Sequence, residues 1–282
     1  MQLRAYNNLV TDSHLHRRVE QLLHGNGGRA SVNAICEEVL LLPPSTDRIL
    51  MEALVEPLLT GDSRLQFDGD GMVAWVEPPA EEVWRRCRRF AVLDVETTNG
   101  GRDQQRIIEI GLCRVEDRRV THEWTSLANP QRKIPYWVRH LTGITDAVVR
   151  EAPRFAELVP LLLEELEDAI LVAHHARFDV ACLNMELSWA LGKRMSNRYL
   201  CTVELSRRYL PGSRSYRLEA LSEWLGLTHE RPHRAASDAR ATAELFCHLL
   251  RTAEAPWSEH LRPHPPRAPA GENAETKPPA NT

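Results

Sequence analysis

A short apolar run that carries two acids constrains this chain more than any other stretch. Residues 90–99 read FAVLDVETTN, and the apolar start of this run predicts a buried strand. Asp94 and Glu96 are two residues apart, so both carboxylates lie on the same face of a strand. Two like charges held close together repel strongly where water is scarce. The pair therefore either ends a strand in solvent or needs a cation between its carboxylates, and residues elsewhere decide between the two.

Length, composition and cysteine usage limit the class of protein. The chain has 282 residues, of which 43% are hydrophobic, which allows one or two domains with a sizeable core. Its six cysteines are scattered without a C-x-x-C pair, which disfavours a zinc ribbon or a disulfide framework and favours a reducing compartment. The N-terminus has no apolar signal core, and no stretch approaches the roughly 20 apolar residues of a membrane span. We expect a cytoplasmic protein without membrane contact.

Residues 1–80 are predicted to form a small domain of three helices followed by a hairpin. The helical patterns begin after Asp12 and Ser13, after Ser31, and after Thr46 or Asp47. The third helix is predicted to face the core with the apolar stripe Ile49, Leu50, Leu54, Val55 and Leu58. A DGDG turn then separates two short apolar strands. This order resembles a winged-helix domain, although no specific motif carries the resemblance.

The charge of this domain argues against DNA reading. Residues 1–80 hold six Arg and no Lys against eleven acids, and the third helix carries Asp47, Glu52 and Glu56 against Arg48. Phosphate contacts supply most non-specific affinity for DNA, and this surface has the wrong sign. We therefore expect the acidic N-terminal domain to dock a protein or to be structural. Residues 81–89 are predicted to be a basic linker, whose four arginines either border a nucleic-acid entrance or are simply solvated.

Residues 90–253 are predicted to form an α/β domain. Closely spaced strands at 90–96, 106–115 and 120–128, the first two joined by a polar loop at 97–105, imply an antiparallel meander. The order β-β-β-α-β-α-β-α-α then gives a mixed sheet covered by helices. Residues 254–282 are rich in Pro, Ala and charge without apolar periodicity, and are predicted to be a disordered tail.

Three later residues extend the acidic pair. Asp179 lies one turn into the helix that follows a strand ending at His174, so its carboxylate points back over the sheet end where Asp94 emerges. Asp238 opens the last helix, and His233 precedes it by five residues. Each has an ordinary alternative, because first-turn acids favour the helix dipole and loop histidines are common.

The combined pattern is more specific than its parts. Asp94-x-Glu96-Thr97-Thr98, Ala173–Asp179 and His233-x-Ala235-x-x-Asp238 resemble, in order, the three motifs of the DEDDh (DnaQ-like) 3′→5′ exonucleases. That family includes the proofreading ε-subunits of bacterial replicases and ribonuclease T. The resemblance covers about Phe90 to Leu250, and the sequence HLTGIT at 140–145 also looks like a turn of the family. It implies a ribonuclease H-like fold and hydrolysis of phosphodiester bonds.

The resemblance also assigns roles to the five candidate catalytic residues. Asp94, Glu96 and Asp238 would bind one divalent cation, Mg²⁺ or Mn²⁺, while Asp94 would bridge to a second ion held partly by Asp179. His233 would take the proton from the attacking water. The residue types suit this chemistry, because hard cations prefer carboxylates and two of them can generate hydroxide and stabilise the leaving oxygen. A histidine with a pKa near neutrality suits a general base.

Four further residues are predicted to contact the substrate. Thr97 and Thr98 are placed to hold the 3′-terminal nucleotide, and Phe178 either faces a terminal base or packs under its helix. His175 stands where many relatives have Asn, and it can still donate a hydrogen bond near the site. The His174–His175 pair suggests zinc, but the carboxylate-rich surroundings disfavour it.

Single-stranded 3′ ends are the expected substrate, because the pocket must hold one terminal nucleotide. Residues 89–252 hold 23 Lys and Arg against 22 acids, four of which metal ions would neutralise. DNA is favoured over RNA by the resemblance to proofreading and repair enzymes. No Gln follows Gln131, so the sliding-clamp motif of replicative ε proteins is not seen, which favours a stand-alone repair enzyme. An RNA-trimming exonuclease of the same fold and a binding module with an inactive nuclease domain are the alternatives.

Overall fold

The computed structural model describes residues 8–44, 46–60, 62, 64–68, 70–77, 79–87, 89–98, 105–252 and 257–263. Its N-terminal part contains the predicted three helices and hairpin. The elements in chain order are β1 (Leu9–Thr11), α1 (His14–Gly25), β2 (Arg29–Ser31), α2 (Val32–Ala34, continued by a π-helical turn Ile35–Val39), α3 (Arg48–Leu59), β3 (Leu65–Phe67), β4 (Met72–Trp75) and α4 (Ala80–Arg86). Strand β2, which the sequence did not predict, completes an antiparallel sheet in the order β2-β4-β3. The winged-helix assignment stays a prediction.

Helix α3 turns a different face inward from the one that the sequence suggested. Asp47 caps it by accepting hydrogen bonds from the backbone of Ile49 and Leu50. The buried stripe is Met51, Val55 and Leu59, which are four residues apart and therefore share one face. Ile49, Leu50 and Leu54, expected in the core, are exposed, and the exposed fraction of Ile49 is 78%.

A five-stranded mixed sheet forms the centre of the second part and confirms the predicted fold class. Its elements are β5 (Phe90–Thr97), β6 (Ile107–Glu116), β7 (Arg119–Leu127), α5 (Tyr136–Thr142), α6 (Asp146–Val149), α7 (Phe155–Leu166), β8 (Ile170–Ala173), α8 (Arg177–Leu191), β9 (Lys193–Met195), β10 (Tyr199–Cys201), α9 (Thr202–Tyr209), α10 (Leu218–Leu225) and α11 (Ala235–Thr252). The strand order is β10-β8-β5-β6-β7. Strands β5, β6 and β7 form the predicted antiparallel meander, whereas β8 runs parallel to both β5 and β10.

The alternation of side chains along β5 decides where the acids point. Ala91, Leu93 and Val95 belong to the core that includes α7 and α8. Val92 belongs to the core on the other face, which includes α11. Because Asp94 and Glu96 continue the Val92 series, their carboxylates extend from the α11 face of the sheet.

Paired strands and buried charges attach the N-terminal part to this sheet domain. Strand β1 pairs with β9 in antiparallel register. Arg194 of β9 forms an ion pair with Glu20 of α1, and Arg64 contacts the same carboxylate at 2.8 Å. Arg64 also binds Asp62 at 2.6 Å, and both side chains are buried. Since each of these buried charges has a partner of opposite sign, the junction avoids the high cost of an unpaired one.

Helical structure at 80–86 in the predicted linker and at 257–260 in the predicted tail shows that both predictions were wrong in part. Residues 80–86 form α4, and its Trp84 ring stacks on Trp257 at 6.1 Å between centroids. Trp257 begins a 3₁₀ turn, is buried, and also contacts the Tyr209 ring at 5.2 Å. Buried Leu261 and two backbone hydrogen bonds between Arg262 and Tyr199 also hold this segment, which lacks apolar periodicity. Residues 254–256 and 264–282 of the predicted tail lie outside the described residues.

Among the helices that the structure describes, none combines the length and apolarity needed to cross a membrane.

The start of α11 lies unusually close to the sheet. Gly111 of β6 faces Asp94 across the strand pair. A Cβ atom on Gly111 would lie 2.0 Å from the carbonyl oxygen of Ala235 and 2.6 Å from the backbone nitrogen of Ala236. Only glycine permits this approach, which brings the first turn of α11 against the strand that supports Asp94.

Replacing Gly111 with Ala is therefore expected to push α11 off the sheet. The clash is with backbone rather than a flexible side chain, so we expect a loss of roughly 1–3 kcal/mol in the free energy of unfolding, measured by urea denaturation. Gly25→Ala is the matched control, since its added Cβ has nothing within 4 Å. Equal stability of the two variants would contradict the close approach.

Candidate active site

The site is built on the carboxyl end of β5. Asp94 lies opposite Gly111, and Glu96 lies opposite Glu109, in the antiparallel register of β5 and β6. Both acids are partly accessible, whereas the flanking Val95 is buried in the core. Strand β8 runs parallel to β5 and ends beside it, so the loop after β8 reaches the same edge of the sheet.

Helix α8 brings the second-motif acid to this edge. Asp179 lies in the first turn of α8 and is buried. One of its carboxylate oxygens accepts a hydrogen bond from the backbone nitrogen of Val95 at 3.2 Å. This bond fixes Asp179 against β5 midway between Asp94 and Glu96, as the sequence predicted from the position of the strand end.

Helix α11 brings the third motif. Asp238 lies in its first turn, and its Oδ2 accepts a hydrogen bond from the backbone nitrogen of His233 at 3.0 Å. Ligand atoms of Glu96, His233 and Asp238 all lie within 4.8 Å of one another. The structure therefore brings together all five residues predicted as catalytic, which are separated by up to 144 positions in the sequence.

The carboxylates of this cluster resist ionisation. Burial raises the pKa of Asp94 well above its ordinary value, and repulsion from Asp179, Asp238 and Glu96 adds to the shift. Burial likewise raises the pKa of Asp179, although hydrogen bonds from backbone N–H groups oppose it. Burial and the charges of Asp238 and Glu109 raise the pKa of Glu96 to about 7. The pKa of Asp238 is raised by burial against the opposing hydrogen bond from His229.

These shifts have the signature of a cation site. Four carboxylates that repel one another when ionised are stabilised by positive charge between them. Among the described residues, the donor set is made of carboxylate oxygens with histidines nearby and without a thiol, which suits hard divalent cations. The residues therefore fit the divalent ions that the exonuclease family implies.

Glu109 and Arg234 support the site structurally by fixing the start of α11, a role that the sequence did not predict for either residue. Glu109 is buried on β6 and binds the Arg234 guanidinium through both oxygens, at 2.6 and 3.0 Å. It also accepts a hydrogen bond at 2.8 Å from the backbone nitrogen of Ala235. This clamp fixes the first turn of α11, and the available signal was a lone acid inside the apolar run IIEIG. The charge of Arg234 is largely neutralised by Glu109.

His229 is a second histidine at the site. Its Nε2 lies 2.5 Å from Oδ1 of Asp238, and its side chain is nearly buried. Since His233 holds the other oxygen of the same carboxylate, Asp238 is oriented from both sides. The two histidines are four positions apart, and this spacing in a loop carried no signal.

The predicted substrate-contacting residues differ in their accessibility. Thr97 and Thr98 are buried, and the Thr98 hydroxyl accepts a hydrogen bond from the Arg106 backbone at 3.0 Å. Phe178 has an exposed fraction of 45%, which excludes the alternative that it packs under its helix. His175 is exposed beside it.

The two histidines after β8 have separate environments. His174 contacts the Thr202 hydroxyl through Nδ1 at 2.9 Å and the Tyr216 carbonyl oxygen through Nε2 at 3.0 Å. Burial lowers the pKa of His174 to about 4, so the ring is neutral and structural. Because both of its nitrogens are engaged in these contacts, the structure offers no support for zinc on this pair.

His175 and His233 both have left-handed backbones. Their φ angles are 67° and 63°, a region that residues other than glycine seldom occupy. Asn is enriched in this region, which gives a physical reason for the Asn that many relatives carry in place of His175. Backbone strain of this kind concentrates at functional sites.

The fold and the site together define a nuclease of the ribonuclease H-like type, and comparison with known proteins places it in a family. Residues 91–246, more than half of the chain, match the family described as Exonuclease. The chain belongs to this exonuclease family, of the DnaQ-like, DEDDh type that its motifs predicted.

Relatives and solved structures agree with this placement. DNA polymerase III subunit epsilon of Aquifex aeolicus is 34% identical over 161 residues, which are 57% of this chain and 80% of that protein. The 3′-5′ exonuclease DinG of Bacillus subtilis is 37% identical over 58% of this chain, which is 18% of that relative's length. Exonuclease X in complex with 5′ overhanging duplex DNA has a TM-score of 0.51 and 26% identity, with 61% of this chain and 96% of the other covered. The nuclease domain of 3′hExo, a DEDDh family member, bound to rAMP, shares the fold with a TM-score of 0.52 at 18% identity, over 62% of this chain and 96% of that one.

The raised pKa of Glu96 predicts how stability depends on pH without metal. Its pKa is about 7 in the folded protein and 4.5 ordinarily, so the folded state binds a proton more tightly. The stability that this proton contributes is fully present below the ordinary pKa and is lost as pH rises through about 7. In EDTA, Glu96→Gln should lose less stability than wild type between about pH 5 and 8, by up to roughly 3 kcal/mol.

Thermal denaturation near pH 5 and near pH 8, in EDTA and with excess Mg²⁺ or Mn²⁺, checks this expectation. The metal-induced rise in Tm should be larger near pH 8, where the carboxylates ionise, than near pH 5. Parallel pH profiles for wild type and Glu96→Gln in EDTA would show that the carboxyl does not titrate in this window.

Proposed function

We propose that this protein is a metal-dependent 3′→5′ exonuclease that releases nucleoside 5′-monophosphates from single-stranded 3′ ends, with DNA as its preferred substrate. One observation carries the proposal: four carboxylates with raised pKa values and one histidine converge at the end of β5. A phosphodiester is already anionic, so a site that collects cations is what its hydrolysis needs.

The acids of this site have the metal-binding roles. Asp94, Glu96 and Asp238 hold one divalent ion, and Asp94 with Asp179 holds a second. Magnesium or manganese is proposed because the donors are hard oxygens. When bound, the ions supply Lewis-acid stabilisation of the charge that develops on the phosphate oxygens.

His233 is proposed to accept the proton of the attacking water. Its ring nitrogen lies within 4.8 Å of the ligand oxygens of Glu96 and Asp238, and its ring is partly accessible. The hydrogen bond from its backbone to Asp238 holds the left-handed turn in place. This geometry supports a base that is rigidly positioned but still reachable by solvent.

The terminal nucleotide is proposed to contact Thr97, Thr98, Phe178 and His175. The exposed ring of Phe178, one residue from Asp179, supports stacking on a base or sugar. The hydroxyl of Thr98 is already used by Arg106, so this residue acts by shaping the loop or through its backbone.

DNA is preferred over RNA in this proposal because several similar proteins are named for DNA synthesis. Polymerase III epsilon and PolC-type polymerases are among them, although the matched part is only 12% of the PolC-type relative from Caldanaerobacter subterraneus. A place in DNA repair or proofreading rests on the same similarity. A cytoplasmic location is supported by the six cysteines, none of which forms a disulfide in the described structure.

Matched single-stranded DNA and RNA oligonucleotides with 5′ labels test this function. In Mg²⁺ or Mn²⁺, wild type should shorten DNA stepwise from the 3′ end, and Asp94→Ala should lower the rate by at least about a hundredfold. Glu151→Ala is the control, because that carboxylate is exposed outside the site. Robust cleavage in excess EDTA or an active Asp94→Ala protein would refute the metal mechanism, and faster cleavage of RNA would favour the trimming alternative.

We further propose that the N-terminal domain docks a protein rather than DNA. The outward face of α3 exposes Ile49, Leu50 and Leu54 beside the acids Asp47 and Glu56. An apolar face with an acidic border suits a partner segment with apolar and basic side chains, and it repels phosphates.

Binding of a blunt duplex in EDTA separates this proposal from the DNA-reading alternative. Fluorescence anisotropy at about 150 mM salt should give only weak binding, with Kd above about 10 μM, because no basic face is offered by α3. Ile49→Asp combined with Leu54→Asp should leave that weak binding and the exonuclease rate unchanged. Tight, salt-sensitive duplex binding that Arg48→Glu abolishes, with no hydrolysis in either metal, would instead establish a binding module.

A further inference from the structure

We propose that the outward face of helix α5 is a docking platform for single-stranded nucleic acid upstream of the terminal nucleotide. The platform consists of Lys133, Tyr136, Trp137 and His140, and its rings are proposed to stack on successive bases. This proposal rests on the proposed function, because it extends the same substrate beyond the carboxylate site.

The platform exposes large aromatic rings, of which Tyr136 also has the Arg139 guanidinium over it at 6.0 Å from the ring centroid. Tyr136 has an exposed fraction of 75% and Trp137 of 50%. The His140 ring lies parallel to the Tyr136 ring, with 6.3 Å between centroids and 12° between planes. Large rings of this kind are normally buried, so two adjacent exposed ones in a seven-residue helix point to a ligand.

The buried side of α5 places the platform at the same end of the sheet as the site. Val138 of α5 and Ile134 pack in one cluster with Ile108 of β6. Ile108 is adjacent to Glu109, which lies opposite Glu96 in the sheet, so α5 lies at the level of Glu96 along the strands. Because neighbouring residues of a strand point to opposite faces, α5 packs on the face opposite the one from which Glu96 extends. A strand whose 3′ end lies at Glu96 therefore reaches the platform by passing over this end of the sheet.

The charge around α5 is complementary to a phosphate backbone. Residues 130–150 contain Arg132, Lys133, Arg139 and Arg150 against Asp146 alone. That acid accepts a hydrogen bond from the backbone of Ile134 at 2.8 Å and lies 3.7 Å from Arg139. The segment is therefore positive by three charges in a protein whose net charge is −4.

Aromatic rings beside cations distinguish this surface from the apolar and acidic face of α3. Bases stack on any exposed ring regardless of sequence, while lysine and arginine follow the backbone. Single-stranded nucleic acid is thus the occupant that uses both features of the platform. An acidic protein segment would use the cations but would leave the stacked rings without partners.

Direct binding tests the platform independently of hydrolysis. The probe is a 5′-fluorescein-labelled dT20 strand, titrated with full-length protein in EDTA by fluorescence anisotropy. We expect Tyr136→Ala and Trp137→Ala each to raise Kd by about tenfold, since one stacked base contributes a factor of this order. Trp224→Ala is the matched control, because that ring is 51% exposed on α10.

Salt dependence and strand length give second readouts. Lys133→Ala should reduce the slope of log Kd against log salt by about 0.7, the value for one phosphate contact on a single strand. With Mg²⁺, Trp137→Ala should raise KM about tenfold for dT20 and less than about threefold for the dinucleotide dT2, which has only one nucleotide upstream of the terminal one.

The outcomes separate this inference from the proposed function. Hydrolysis of dT20 with Kd and KM unaffected by the two aromatic substitutions would overturn the platform and leave the exonuclease standing. Absence of hydrolysis together with Kd values that the substitutions raise would support the platform and refute the exonuclease. Circular dichroism of each variant, matching wild type, excludes unfolding as the cause of a lost interaction.

Discussion

The close contact between α11 and β6 is the constraint on which the site depends. Gly111 removes the side chain that would separate them, and Glu109 then fixes the helix through Arg234 and the Ala235 backbone. Only with α11 in this position do His233 and Asp238 reach Glu96. The charge of Glu109 is buried to achieve this, and its ion pair with Arg234 offsets the cost of removing it from water.

Because α11 brings its acid to the acids of β5, the carboxylates of the site repel one another, and this repulsion has a functional consequence. The same packing that excludes water also places four carboxylates at one strand end, and their raised pKa values express the cost. A divalent cation removes this cost, so binding energy and folding energy are coupled at the site. The site is in this sense assembled at the expense of stability, as active sites commonly are.

The parts of this structure that sequence reasoning found are those with short-range signals. The period-2 pattern placed both acids of β5 on one face, and the strand before His174 placed Asp179 at the same sheet edge. Glu109 and His229 were missed because their roles depend on contacts that no local pattern encodes. Glu109 contacts a residue that is 125 positions away in the sequence, and His229 contacts one that is nine positions away. The predicted inward face of helix α3 holds for Val55 but not for Ile49, Leu50 and Leu54, since its apolar residues cover more than one side. The prediction of a disordered tail missed the turn at Trp257, because that turn is held by contacts with residues far away in the sequence, such as Tyr199 and Tyr209.

The junction between β1 and β9 sets the distance between the two ends of the molecule. Asp179 lies at the start of α8, and β9 follows the end of this 15-residue helix, so about 22 Å of rigid rod separates the chemistry from the N-terminal domain. Because paired strands and buried ion pairs fix that domain at the far end, it is a rigid attachment site and does not cover the active site. A partner bound to the N-terminal domain would leave the carboxylate site open. It would change where the enzyme acts without changing the hydrolysis itself.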